Sequence, residues 1–210
     1  MSNKIEMVSD EQALVGEGPV WDTSSQTLFW TDIQGGRFFN FNPSTKTNTV
    51  IHNGVNTGGL AVNESGGLIL GTWEGVQLWN SDDDYRWLHK DSFEGREIKT
   101  NDVTSSPDGG FIVGTGHLDS CSVFKFNPNG TVDIIDEGLE LCNGMGFSPD
   151  CRTFYSTDSP KHEIYKWDHD PVSGQFSNKT IFKKIPDDWG IPDGMTVDSE
   201  GYVWAAIWYG

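Results

Sequence analysis

A chain of 210 residues suffices for one domain with a substantial core and only marginally for two. A formal net charge of −17 excludes direct roles on nucleic acid or on an anionic membrane face, which call for basic patches. Hydrophobic residues make up 35%, yet nine Trp and twelve Phe supply large buried area, and 25 Gly, many in Asn-Gly, Asp-Gly and Gly-Gly pairs, point to the frequent tight turns of an all-β protein.

The N-terminal MSNKIEMVSDEQ lacks the apolar run of a signal peptide, and no stretch approaches the roughly 18 apolar residues of a membrane span. Three cysteines, Cys121, Cys142 and Cys151, form no CxxC pair. The sequence therefore predicts a soluble, cytoplasmic protein with reduced thiols, one disulfide plus a spare thiol being the alternative. Residues 3–8 predict a short strand ahead of a series of repeats. Repeat one reads as strands 18–21, 27–33, 37–41 and 48–52, and repeat two as 59–62, 67–72, 75–79 and 85–89. Repeat three reads as 102–105, 110–115, 121–126 and 131–135, and repeat four as 144–147, 152–157, 162–167 and 179–184. Repeat five supplies 194–197 and 202–207 before Gly210, and no segment holds a 3.6-residue apolar period for three turns.

The repeats open on EGPVWD at Glu17, GGLAVNESG at Gly58, NDVTSSPDG at Asn101, NGMGFSPD at Asn143 and DGMTVDSEG at Asp193, with intervals of 41, 43, 42 and 50 residues. Each continues into a second apolar run, such as TLFWTDI, FIVGTG or TFYSTDS. A period near 40–50 built from short strands and turns is that of a propeller of four-stranded blades. The prediction is a single all-β domain over 1–210, of the six-bladed β-propeller type but incomplete. The chain holds about four and a half blades, with about one and a half C-terminal blades missing; a compact four-bladed ring is the alternative.

First strands of propeller blades line the central channel, so equivalent positions in them converge on its axis. Four of the five opening residues, Glu17, Asn101, Asn143 and Asp193, carry side-chain oxygen. Two carboxylates and two amides form a hard, oxygen-only donor set suited to Ca²⁺, Mg²⁺ or Mn²⁺, with Zn²⁺ also accepting carboxylate. Three or four protein ligands leave room for water and substrate. Asn-Gly at 143 and Asp-Gly at 193 equally read as ordinary turns, and spacing leaves both readings open.

Four ordered motifs, EGPVWD with LFWTDI, NDVTSSPDG with IVGTG, CNGMGFSPD with FYSTDS, and IPDGMTVDSEG with VWAA, resemble the SMP-30/gluconolactonase/LRE family, which includes regucalcin, over residues 14–210. The resemblance implies a six-bladed propeller with one divalent cation in its channel and hydrolysis of sugar lactones. It assigns the metal to Glu17, Asn143 and Asp193, with Asn101 near metal and substrate. Lys99 stands where the family usually has Arg; it keeps the charge and loses the bidentate fork. The stretch after GTG is shorter than in regucalcin, and His117 and Asp119 are its nearest polar candidates for the substrate.

The reading is a metal-dependent lactonase, a carboxylic ester hydrolase, whose cofactor is one divalent cation, Ca²⁺ foremost, and whose partner is a small sugar lactone rather than nucleic acid or membrane. Asp193 is its candidate catalytic base, and Asn101, Lys99 and His117 its candidate substrate contacts. The rivals are a non-catalytic calcium-binding or regulatory propeller and a protein-interaction platform. Asp32 and Asp158, at equivalent places after second strands, read as blade-turn hydrogen bonders. His52, His89, His162 and His169 read as residues of outer strands or loops, and Trp21, Trp30, Trp73, Trp167 and Trp204 as packing between blades, with sugar stacking at Trp73 or Trp208 as an option.

Overall fold

The computed structural model describes residues 5–210. Four sheets each hold four antiparallel strands in chain order. Blade one comprises β1 (Gly16–Asp22), β2 (Thr27–Asp32), β3 (Arg37–Asn42) and β4 (Thr47–Asn53). Blade two comprises β5 (Thr57–Val62), β6 (Leu68–Thr72), β7 (Gly75–Ser81) and β8 (Asp84–Lys90). A small hairpin of β9 (Ser92–Phe93) and β10 (Arg96–Glu97) precedes blade three, formed by β11 (Thr100–Ser105), β12 (Phe111–Thr115), β13 (Cys121–Phe126) and β14 (Val132–Leu139). Blade four comprises β15 (Cys142–Phe147), β16 (Thr153–Asp158), β17 (Glu163–His169) and β18 (Phe176–Lys184). A 3-10 turn at Asp187–Trp189 leads to a two-stranded fifth sheet, β19 (Ile191–Val197) and β20 (Val203–Trp208). Among the described residues no helix is long and apolar enough to cross a membrane.

The first strands of successive sheets lie side by side, β1 on β5, β5 on β11, β11 on β15 and β15 on β19, as in a propeller whose inner strands surround the axis. The fifth repeat stacks on the fourth as the next blade, which a compact four-bladed ring would not accommodate. Burial follows from this stacking. Every residue of β12 and β13 is buried, because blade three is covered on both faces, whereas β20 alternates between half-buried and exposed. The core lies between blades and is mainly Phe and aliphatic: Phe38 and Leu70 between blades one and two, Val76 and Phe124 between two and three, Ile112 and Phe154 between three and four.

Several sequence expectations are corrected. Residues 5–8 form no strand, and 3–4 lie outside the described residues. The β9–β10 hairpin was not expected, since two-residue strands carry no alternation to read. Of the tryptophans, Trp167 is buried in the core between blades three and four, but Trp21 and Trp204 are 45% and 64% exposed, and Trp30 stacks on Phe39 within its own blade. Most importantly, every inner strand starts about two residues earlier than predicted, so that Glu17, Asn101, Asn143 and Asp193 all lie inside strands rather than in turns.

Candidate functional site

The early start of the inner strands has one cause. Each carries a β-bulge near its beginning, between Glu17 and Val20, Thr57 and Gly59, Thr100 and Asp102, Asn143 and Met145, and Pro192 and Met195. An extra residue in one strand breaks the two-residue alternation and re-aims its neighbours. Close packing of the bulges requires glycine at two of them. A Cβ on Gly58 would sit 2.6 Å from the Thr100 carbonyl oxygen, and one on Gly144 would sit 2.5 Å from that of Asp193.

Register sorts the four oxygen-bearing residues into two classes, correcting the expectation that they are equivalent. Glu17 faces Thr31, and Asn143 faces Thr157, in the rung where Thr57 faces Thr72 and Thr100 faces Thr115. Asn101 and Asp193 come one residue later, in the bulge itself, at the places of Gly18, Gly58 and Gly144. Asp32 and Asp158 act one rung outward. The Asp32 Oδ1 accepts from the Leu14 and Val15 amides at 3.0 Å each, and the Asp158 Oδ1 from the Glu140 and Leu141 amides at 3.2 Å each. Both carboxylates are fully buried and are paired with Arg37 and Lys161, each at 2.8 Å. They clamp the segments that lead into Glu17 and Asn143, so their turn role also positions the site.

Glu17, Asp193 and a third carboxylate, Asp102, share one electrostatic environment. Burial, and after it the charges of Asp193 and Asp102, together raise the Glu17 carboxyl to about 7. Asp102 is likewise raised to about 6, by burial above all and by the charge of Asp193, against the opposing Val103 amide, which donates to its Oδ1 at 2.7 Å. None of the three forms an ion pair with a Lys, Arg or His among the described residues. Asp102 was missed in the sequence because strand alternation would set it on the face opposite Asn101; the bulge removes that constraint.

Asn143 is buried, and among the described residues its Oδ1 accepts only from the adjoining Gly144 amide, at 3.3 Å. Asn101 donates its Nδ2 to the Cys142 carbonyl at 3.0 Å, tying blade three to blade four and leaving its Oδ1 for other partners. Lys99 is half-buried, with its Nζ 4.6 Å from the centre of the Trp73 ring. His117 and Asp119 lie in an exposed turn, His117 with φ of 59°. His52 and His89 lie on the outermost strands β4 and β8, His162 in a turn and His169 at the end of β17.

Among the described residues no three His, Cys, Asp or Glu side chains are gathered in a ready metal-binding cluster. The donor chemistry nevertheless fits a hard divalent cation. Two carboxyls raised by burial and by neighbouring negative charge, beside an amide oxygen with one weak partner, gain most from a positive charge among them.

The family model of the SMP-30/gluconolactonase/LRE-like region matches residues 15–210. Pentonolactonase XacC of Haloferax volcanii is 32% identical over 205 residues, covering 97% of this chain and 70% of that protein. Regucalcin of Xenopus laevis is 31% identical over 219 residues, covering 100% of this chain and 73% of that protein. The crystal structure of a calcium-binding protein, regucalcin, from Agrobacterium tumefaciens superposes with a TM-score of 0.87 at 22% identity, over 96% of this chain and 70% of that one, a likeness of fold.

Proposed function

Since the chain belongs to the SMP-30/gluconolactonase/LRE-like family, we propose that it is a divalent-metal-dependent hydrolase of sugar lactones. The observation that carries this reading is the grouping of Glu17, Asp102 and Asp193 without a protein cation to balance them. The pentonolactonase relative supports the choice of substrate class. Glu17, Asn143 and Asp193 would hold the cation. When bound, it supplies charge to polarise the lactone carbonyl and offset the negative charge developing on its oxygen.

The remaining chemistry falls to side chains. Asp193 accepts the proton of the attacking water as general base. Asn101, with its Nδ2 held by the Cys142 carbonyl, offers its Oδ1 to a sugar hydroxyl. Lys99, steadied over Trp73, donates to substrate hydroxyl oxygens. Asp102 deepens the negative potential that recruits the cation.

The test is proton release on a panel of sugar lactones, with chelator and then with Ca²⁺, Zn²⁺, Mn²⁺ or Mg²⁺ restored. Cation-dependent turnover that falls about 100-fold or more in Asp193→Asn is expected. No turnover with any cation rejects the hydrolase. Full turnover in Asp193→Asn with unchanged cation affinity rejects the base assignment. The regucalcin relative, together with the regucalcin structure described as a calcium-binding protein, favours a second reading, a calcium-binding propeller without turnover, marked by cation binding in a protein inert to every lactone.

A further inference from the structure

Two of the three cysteines meet behind the candidate site. Cys121 opens β13 of blade three and Cys142 opens β15 of blade four; both are buried in the same core cluster with Leu139 and Met145. The Cys121 Sγ donates to the Glu140 carbonyl, two residues before Cys142, at 3.2 Å. The Cys142 Sγ donates to the carbonyl of Ser122, the neighbour of Cys121, at 3.4 Å. The two crossed bonds, each from one cysteine to the backbone beside the other, bring the two thiols together in one cluster. Asn101 is anchored on the Cys142 carbonyl, and Asn143 is the next residue, so this joint carries two of the candidate site side chains.

We propose that Cys121 and Cys142 are a dithiol–disulfide couple, a modification site for a peroxide, which when oxidised links blade three to blade four at the strand that carries Asn143. The Cys121 sulfur attacks a peroxide oxygen, the O–O bond breaks, and the departing oxygen leaves as water with a thiol proton. The Cys142 sulfur then displaces the hydroxyl from the Cys121 sulfenic acid, the S–O bond breaks and a second water leaves. Two thiols lose two electrons in total, and one peroxide becomes two waters.

The order of attack follows from the surroundings. Cys121, itself buried, directly follows the turn in which His117, Asp119 and Ser120 are exposed, and in this scheme it is the sulfur that meets the oxidant first. Cys151 lies in a turn between β15 and β16, outside that core cluster, and serves as an internal control.

The experiment treats the whole chain with hydrogen peroxide, alkylates the remaining thiols, and maps non-reduced peptides by mass. The expected product joins the Cys121 and Cys142 peptides, leaves Cys151 alkylated, and reverts with dithiothreitol. Cys151→Ser forms the same link, and Cys121→Ser forms none. Resting on the proposed function, lactone turnover in the linked form falls about tenfold through displacement of Asn101 and Asn143, and recovers on reduction. Alkylation of both Cys121 and Cys142 after peroxide, a link through Cys151, or a linked chain with undiminished turnover overturns the proposal. A chain inert to every lactone fails the functional reading alone, because the mass of the link is read without turnover.

Discussion

Substitution of Glu17 by Gln tests the electrostatic core of the site. The folded protein holds this carboxyl near 7 against an ordinary value of 4.5, because burial and the charges of Asp193 and Asp102 disfavour the ion. The native state therefore binds more protons than the unfolded chain between these values, and stability in chelator falls as pH rises. The penalty is absent below about 4.5 and complete above about 7. A full shift of this size corresponds to about 3 kcal/mol. Glu17 is only half-buried, so solvent screening reduces the expected effect to about 1–2 kcal/mol. Urea unfolding in chelator, followed by Trp fluorescence from pH 5 to 8, reads it directly. The wild type should lose this amount relative to Glu17→Gln, which becomes the more stable protein at pH 8. Asp102, raised to about 6, adds a similar decline that persists in the variant. A saturating divalent cation should remove most of the wild-type decline. Parallel stability profiles for the two proteins would refute the reasoning.

Gly144→Ala should lower stability by about 1–3 kcal/mol, a drop in Tm of roughly 2–12 °C, because its Cβ would meet Asp193 and Met195 backbone atoms that cannot rotate away. A melting point within about a degree of wild type would show that the two inner strands separate freely. Asp108→Asn should cost about 3 kcal/mol, since it leaves the Lys125 ammonium, 2% exposed, without its carboxylate. Lys125→Met should cost less, because Asp108 is 28% exposed and water can replace its partner. Urea midpoints in the opposite order would contradict that account.

The blade pattern was readable because strands buried between neighbouring sheets spell apolar runs, and the turns between them need Gly, Asn and Asp. A hydrogen-bonding role for Asp32 and Asp158 was legible from their equivalent places after second strands, but the segments they hold, those leading into Glu17 and Asn143, were not. Asp102 was hidden because alternation predicts opposite faces for Asn101 and its neighbour, and a bulge leaves no composition signal beyond an occasional Gly. The same bulge made Asn143 and Asp193 resemble turn residues. Trp21 and Trp204 misled for another reason: their size suggests burial, but only the order of the sheets decides which face of a strand is covered.

By itself the sequence determined the period, the strand-and-turn composition and the oxygen-bearing residues near the start of four inner strands, because these are local properties of short segments. Only tertiary structure decided the register of each bulge, the third carboxylate beside Glu17 and Asp193, and the meeting of Cys121 with Cys142. These depend on which backbones approach across blade boundaries, where residues some 20 to 175 positions apart in sequence share one low-dielectric space and its electrostatics.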